Sequence, residues 1–168
     1  MISESIKIRP ATSKDVPFLS DMLFEAGAIS DIVREMGKEK ALLLPAMIFF
    51  LENFGRPGDF GFIAEIGKTP IGAAWARHFS EENKSYGFIS TEIPEFAIAV
   101  EPEFRASGVG TKLMKYLIEK ARNLKLPALS LSVYRRNPAL RLYERFGFRD
   151  AGISKETESS LIMILEIN

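Results

Sequence analysis

The sequence predicts an α/β protein, a mixed sheet with helices on both faces. Three observations carry this. A short apolar strand, "EFAIAV", a long amphipathic helix and a second strand, "ALSLSV", follow one another, which is a βαβ unit and demands parallel strands with a right-handed crossover. Two strand-like runs, "FGFIAEIG" and "PIGAAWARHF", flank Lys68 and Thr69 as a hairpin. Helical periodicity fills much of the chain ahead of them.

Taken in order, "IKIRP" (Ile6 to Pro10) alternates apolar and polar residues as a strand does. Thr12 and Asp15 have capping-box spacing before an apolar stripe of Val16, Leu19, Leu23 and Ala26, which predicts a first helix. The stretch from Ile29 to Phe54 reads as a second helical region, with Pro45 at a helix start or kink. "RPGD" is a turn. After the hairpin and the loop "ENKSYG", "EFAIAV" (Glu95 to Val100) is apolar at nearly every position, which predicts burial on both faces. Gly108 to Leu124 is the strongest helix, about 25 Å long, with Val109, Leu113, Tyr116, Leu117, Ala121 and Leu124 on one face. "ALSLSV" (Ala128 to Val133) follows. Asn137 is then expected to cap a helix with Pro138 at its first position, and Gly147 to end it in a left-handed conformation. "FRDAGI" and "SSLIMILEI" close the chain as strands.

The 168 residues suit one domain over 1–168 with a sizeable core. Lys and Arg number 22, balanced by 22 Asp and Glu, so no overall field favours nucleic acid or an acidic membrane. Cysteine is absent, which excludes disulfides, thiolate metal sites and cysteine nucleophiles. The start, "MISESIKIRP", has no apolar core of the signal-peptide kind, and the most apolar run, "ALLLPAMIFFLENF", is broken by proline and too short for a membrane span. A cytoplasmic location fits these features.

Chemistry concentrates at "EFRASGVGTKLM". Glycines at 108 and 110 open the long helix, where the first N–H groups lack intrahelical partners and carry partial positive charge. Without Cβ atoms an anion can approach the backbone closely. Arg105 adds a planar cation suited to phosphate. Arg105, Gly108 and Gly110 therefore read as a pyrophosphate cradle, although such a pattern also occurs where a turn merely starts a helix. The Lys-Ser/Thr pair of a P-loop is absent, because Thr111 and Lys112 stand in the wrong order, and the three-glycine dinucleotide fingerprint is not met.

The order of these segments resembles the GNAT family, the Gcn5-related N-acetyltransferases. The family's Arg/Gln-x-x-Gly-x-Gly/Ala element is matched by Arg105, Gly108 and Gly110, and its Asn-helix-Tyr-x-x-x-Gly-Phe element by Asn137, Tyr143, Gly147 and Phe148. Ala106 departs from the glycine many members carry there. The resemblance implies the GNAT-type (acyl-CoA N-acyltransferase) fold, a twisted, mostly antiparallel sheet with a central splayed parallel strand pair. It implies acetyl-CoA as acyl donor, with no metal. The pyrophosphate would lie on the segment from Arg105 and Ala106 through Ser107, Gly108, Val109 and Gly110 to Thr111. The pantetheine arm would pair with the exposed backbone of Ile98 and Val100, and Ala99, Asn137 and Tyr143 would border it. Either one of Arg135, Arg136, Arg141 and Arg145 meets the ribose phosphate, or all four form a solvated face.

By the same resemblance Tyr143 is the acid that protonates the leaving thiolate, the alternative being a core tyrosine. Glu95, sharing a strand face with Ala97 and Ala99, is the candidate base. Glu92, a backbone carbonyl or a water chain are the alternatives, as is a plain solvent-facing carboxylate. A backbone N–H between Ile98 and Val100 would meet the developing oxyanion. His78, the only histidine, reads as structural rather than as a base. The acceptor is an amine of a small molecule or peptide, in a pocket shaped by 28–54 and 80–91. Phe49, Phe50 and Phe54 are an apolar pocket wall, a homodimer contact or plain core. The competing function class is an acyl-CoA-binding sensor without turnover.

Overall fold

Strands β1 (Ile6–Pro10), β2 (Phe60–Ile66), β3 (Thr69–Arg77), β4 (Glu95–Val100), β5 (Ala128–Tyr134), β6 (Arg149–Asp150) and β7 (Ser160–Glu166) form one sheet in the order β1-β2-β3-β4-β5-β7-β6 in the computed structural model. It describes residues 5–153 and 159–167, so the ends of the expected 1–168 domain lie outside the described residues. Every pairing is antiparallel except β4–β5, the expected βαβ pair. Helices are α1 (Val16–Gly27), α2 (Asp31–Met36), α3 (Lys38–Ala41), α4 (Pro45–Leu51), α5 (Val109–Asn123) and α6 (Leu140–Arg145).

Strand alternation divides the apolar residues of the sheet between two cores. On one face Ala74 and Ala76 pack with α5 and with Tyr143 and Phe148. On the other, Ala73 and Trp75 pack with Leu19, Met22 and Leu23 of α1 and Met47 and Phe50 of α4. Small residues at the centre of β3 let α5 approach: a Cβ on Gly72 would stand 3.2 Å from Val109 Cγ1 and 3.3 Å from Leu113 Cδ1. The entry to α1 is the capping box read from the sequence, with Asp15 Oδ2 accepting from the Thr12 N–H at 2.8 Å.

Helix α4 is held over the sheet by buried polar contacts. The Trp75 indole donates to the Phe50 carbonyl at 3.0 Å. Arg77, fully buried, donates to the Phe49 carbonyl at 2.8 Å and forks onto both Asp59 oxygens at 3.1 Å. A bidentate pair of this kind satisfies the buried guanidinium. Phe54 sits beneath Arg77, 6.0 Å from the guanidinium carbon to the ring centroid. Phe50 and Phe54 are therefore core residues.

Four sequence expectations are corrected. The region 29–54 is three short helices, because Gly37 at φ +84° and Pro45 at a helix start interrupt it. The buried face of α5 uses Met114 and Ile118, while Tyr116 and Leu124 are half exposed, Tyr116 edge-on to Phe62. Strand β4 is buried only at Glu95 and Phe96; Ala97 to Val100 are half-buried because β5 turns away. The last helix begins at Leu140. Asn137 Oδ1 instead accepts from the Ala139 N–H at 2.9 Å in the turn before it. Gly147 does end that helix at φ +98°.

Candidate functional site

The site follows from how little β4 and β5 share. Their only register partners are Glu95 and Ser130, joined by the Ser130 N–H to the Pro94 carbonyl at 3.1 Å. Beyond that point β4 remains paired with β3 on one side, from Phe96↔Ala76 to Val100↔Gly72, and its edge toward β5 is open. Open backbone in a cleft wall is an unsatisfied hydrogen-bonding surface suited to an extended ligand.

Two clefts open on this gap. One, of about 590 Å³, runs from Ile98, Ala99 and Val100 to Arg105, Gly108, Gly110 and Thr111, with Leu142 and Arg145 opposite. The other, of about 530 Å³, lies between α1, α2 and α4 on one side and Ser85, Tyr86, Leu131 to Tyr134 and Ser160 on the other. They meet at Ile98, Asn137 and Tyr143, which line both. The segments 28–54 and 80–91 contribute to the second cleft as expected, Phe50 among them.

The glycine loop has the conformation its residues dictate. Gly108 lies at φ +87° in the left-handed region, immediately before α5. A Cβ on Gly110 would stand 3.4 Å from Leu142 Cδ2 and narrow the first cleft. Ala106 is held at φ +59°, where a Cβ is strained, and it occupies the position of the resemblance's missing glycine. The Ser107 hydroxyl donates back to the Phe104 carbonyl, and Val109 is buried in the core. At those two residues only the main chain is left to face an anion.

Arg105 does not point freely into the cleft. Its Nε donates to the Val100 carbonyl at 3.1 Å and its Nη2 to Glu25 Oε2 at 2.9 Å. Glu25, from α1, is itself a lining residue. The surroundings are acidic: burial, then Glu25, Asp21 and Glu103, push the Glu101 carboxyl up, with Arg105 opposing them. Nothing in the sequence marked Glu25, since it lies 80 positions from its partner.

Glu95 is 2% exposed. Its Oε1 accepts from the Gly87 N–H at 2.9 Å, while Oε2 is buried without a hydrogen-bond partner. Burial pushes this carboxyl up to about 8, against the Gly87 N–H and the Ser85 hydroxyl, which pull it down. The loop carrying Gly87 is tied down from the other side by the Ser130 hydroxyl, donating to the Gly87 carbonyl at 2.8 Å. Only glycine fits there, for an added Cβ would come within 2.7 Å of Glu95 Oε1 and of the Leu131–Ser132 backbone.

Tyr143 is 4% exposed and stands edge-on to Phe96 and Phe148. Burial raises its hydroxyl well above the usual phenol range, so it keeps its proton at neutral pH. Of the other sequence candidates, Glu92 is exposed and lines neither cleft. His78 contacts the Thr91 carbonyl at 3.0 Å through Nδ1, also outside both clefts. Among the four basic residues 135, 136, 141 and 145, Arg145 alone lines the first cleft. Ser85, Tyr86 and Met36 escaped the sequence reading because no local pattern singles them out.

A mixed sheet splayed at one parallel pair, with a glycine-opened helix on one side of the gap and a buried tyrosine and carboxylate on the other, defines an acyl-coenzyme A type of architecture. The chain belongs to the acetyltransferase (GNAT) family, which residues 28–148 match. Its fold is shared with the ribosomal-protein-alanine N-acetyltransferase of Brucella melitensis, at 25% identity and TM-score 0.68 over 96% of this chain and 99% of that one. It is shared also with the PaiA N-acetyltransferase of Thermoplasma acidophilum in complex with coenzyme A, at 19% identity and TM-score 0.63 over 96% and 99%. In sequence it is similar to the [ribosomal protein bS18]-alanine N-acetyltransferase of Escherichia coli, 33% identical over 81 residues, 44% of this chain. The chain spans 55% of that relative's length. No helix among the described residues is long and apolar enough to cross a membrane.

Proposed function

We propose that this chain transfers an acetyl group from acetyl-coenzyme A to a primary amine of a small molecule or peptide, by direct attack within a ternary complex. The observation that carries the reading is the meeting of two clefts at Tyr143, one of them lined also by a buried carboxyl group, Glu95, with one oxygen unpartnered. Family membership and the resemblance to a coenzyme A complex support it.

The first cleft suits the donor. Its open β4 edge would receive the pantetheine amides at Ile98 and at the Val100 N–H, the Val100 carbonyl being held by Arg105, with Ala99 alongside; the main chain from Ala106 to Thr111 would receive the pyrophosphate. When bound, acetyl-coenzyme A supplies an acyl group activated as a thioester. Asn137 and Tyr143 border the point where the acyl group would lie, and a β4 N–H would stabilise charge on its oxygen.

The protein's part is then proton handling and alignment. An amine must shed its proton to attack. Glu95, ionised, takes that proton, directly or through one water. Tyr143, protonated, donates to the departing sulfur. Acetylation of a peptide's terminal amine, which the relatives' names state for those proteins, falls within this reading. Action in the cytoplasm, where such a donor is available, is part of the same proposal.

The test is release of coenzyme A thiol from acetyl-coenzyme A in the presence of an amine panel that includes peptide N-termini. Amine-dependent release is expected. Coenzyme A binding with no release for any amine would replace the enzyme reading by the sensor one.

A further inference from the structure

Resting on that reading, the second cleft carries information on the acceptor. Among its described lining residues Glu95 is the single carboxyl group, and none is a lysine, arginine or histidine. The helical wall is hydrocarbon and thioether: Ile29, Val33, Met36, Met47 and Phe50. The opposite wall offers neutral hydroxyls, at Ser85, Ser132 and Ser160. Two large apolar groups stand at the mouth, Ile32 at 73% and Tyr86 at 67% exposure. Exposed apolar rims of this kind mark contact with an apolar ligand. Of the described cations, Arg34 is engaged with Asp31 and the Ala28 carbonyl, and Lys84 with Glu81.

We infer that the acceptor is an apolar monoamine, a primary amine on a hydrocarbon or aromatic body that carries neither a carboxylate nor a second cation. Once Glu95 ionises, its unpartnered oxygen matches one ammonium. A free amino acid would bring its own carboxylate into a cleft whose described lining holds no cation. A diamine would bring a second ammonium, and the described lining holds no second carboxylate. Burying either charge unpaired is strongly unfavourable. The body, by contrast, gains from displacing water along the helical wall, and about 530 Å³ accommodates a ligand of that size.

Titration calorimetry of three probes into the chain, with and without coenzyme A, tests this. Phenethylamine and phenylalanine differ only by a carboxylate, and cadaverine adds a second cation. Phenethylamine is expected to bind at least tenfold more tightly than either of the others. Met36→Glu, placing a carboxylate on the half-buried rim, is expected to raise cadaverine affinity at least threefold. Equal or tighter binding of phenylalanine or cadaverine to the unmodified chain overturns the inference, as does no binding of phenethylamine. Binding in the expected order without thiol release by any amine would instead count against the enzyme reading alone, so the two failures are distinguishable.

Discussion

Gly87 donates its backbone N–H to Glu95 Oε1 at 2.9 Å and leaves Glu95 Oε2 buried with no partner. The loop thus holds the carboxylate in place while sparing one oxygen for chemistry. Burial raises this group to about 8 from its usual 4.5, and pH dependence follows with a definite sign. A base works ionised, so kcat/KM is expected to rise with pH and level off above about 8. Stability runs the other way. Below 4.5 both folded and unfolded chains hold the proton. Between 4.5 and 8 only the folded chain does, so this residue's contribution falls by roughly 1.4 kcal/mol per pH unit and is gone above 8. Glu95→Gln should lack that slope. Denaturant melts across pH 5 to 9 should show the variant's stability advantage widening with pH; parallel curves would contradict the assignment.

Tyr143→Phe keeps the ring contacts with Phe96 and Phe148 and removes only the hydroxyl. A drop in kcat of about 100-fold or more is expected for loss of a general acid, with coenzyme A affinity kept within about threefold. Steady-state kinetics beside calorimetry reads both. An unchanged kcat would leave Tyr143 as a packing residue.

Glu25 and Arg105 form an ion pair at the mouth of the donor cleft, half exposed on the arginine side. Such a pair competes with an incoming phosphate for the guanidinium. Glu25→Gln should free Arg105 and lower the local negative charge, tightening coenzyme A binding by about two- to fivefold, the range of a partly exposed pair. The gain should shrink in high salt. Weaker binding in the variant would mean that Glu25 positions Arg105 rather than restrains it.

Ala106 sits at φ +59°, where its Cβ is strained. Ala106→Gly is expected to stabilise the fold by about 0.5–1 kcal/mol, relief of strain exceeding the added freedom of the unfolded chain. Chemical denaturation measures it; a loss of stability would show that the Cβ makes a compensating contact.

Legibility followed sequence distance. The conformation of the loop before α5 was readable because its parts are adjacent: Gly108 and the amphipathic α5 act through local backbone geometry. The end of α6 at Gly147 was readable for the same reason, whereas the cap expected at Asn137 is a turn and the helix starts later, at Leu140. The exposed half of β4 was not. An apolar strand implies burial, and only the departure of β5 after Ser130 reveals that Ala97 to Val100 border clefts.

What the sequence determined on its own was therefore the fold class, through periodicity, capping and glycine geometry that act over a few neighbouring positions, and the family, through its resemblance at the motifs around Arg105 and Tyr143. Tertiary structure alone decided which oxygen of Glu95 is spared, that Arg105 answers to Glu25, and that the described lining of the second cleft holds a single carboxyl group. Those depend on groups brought together across tens of residues, as Gly87 is with Ser130, and on the loss of water around them. Local pattern encodes neither the partner of a buried charge nor its desolvation.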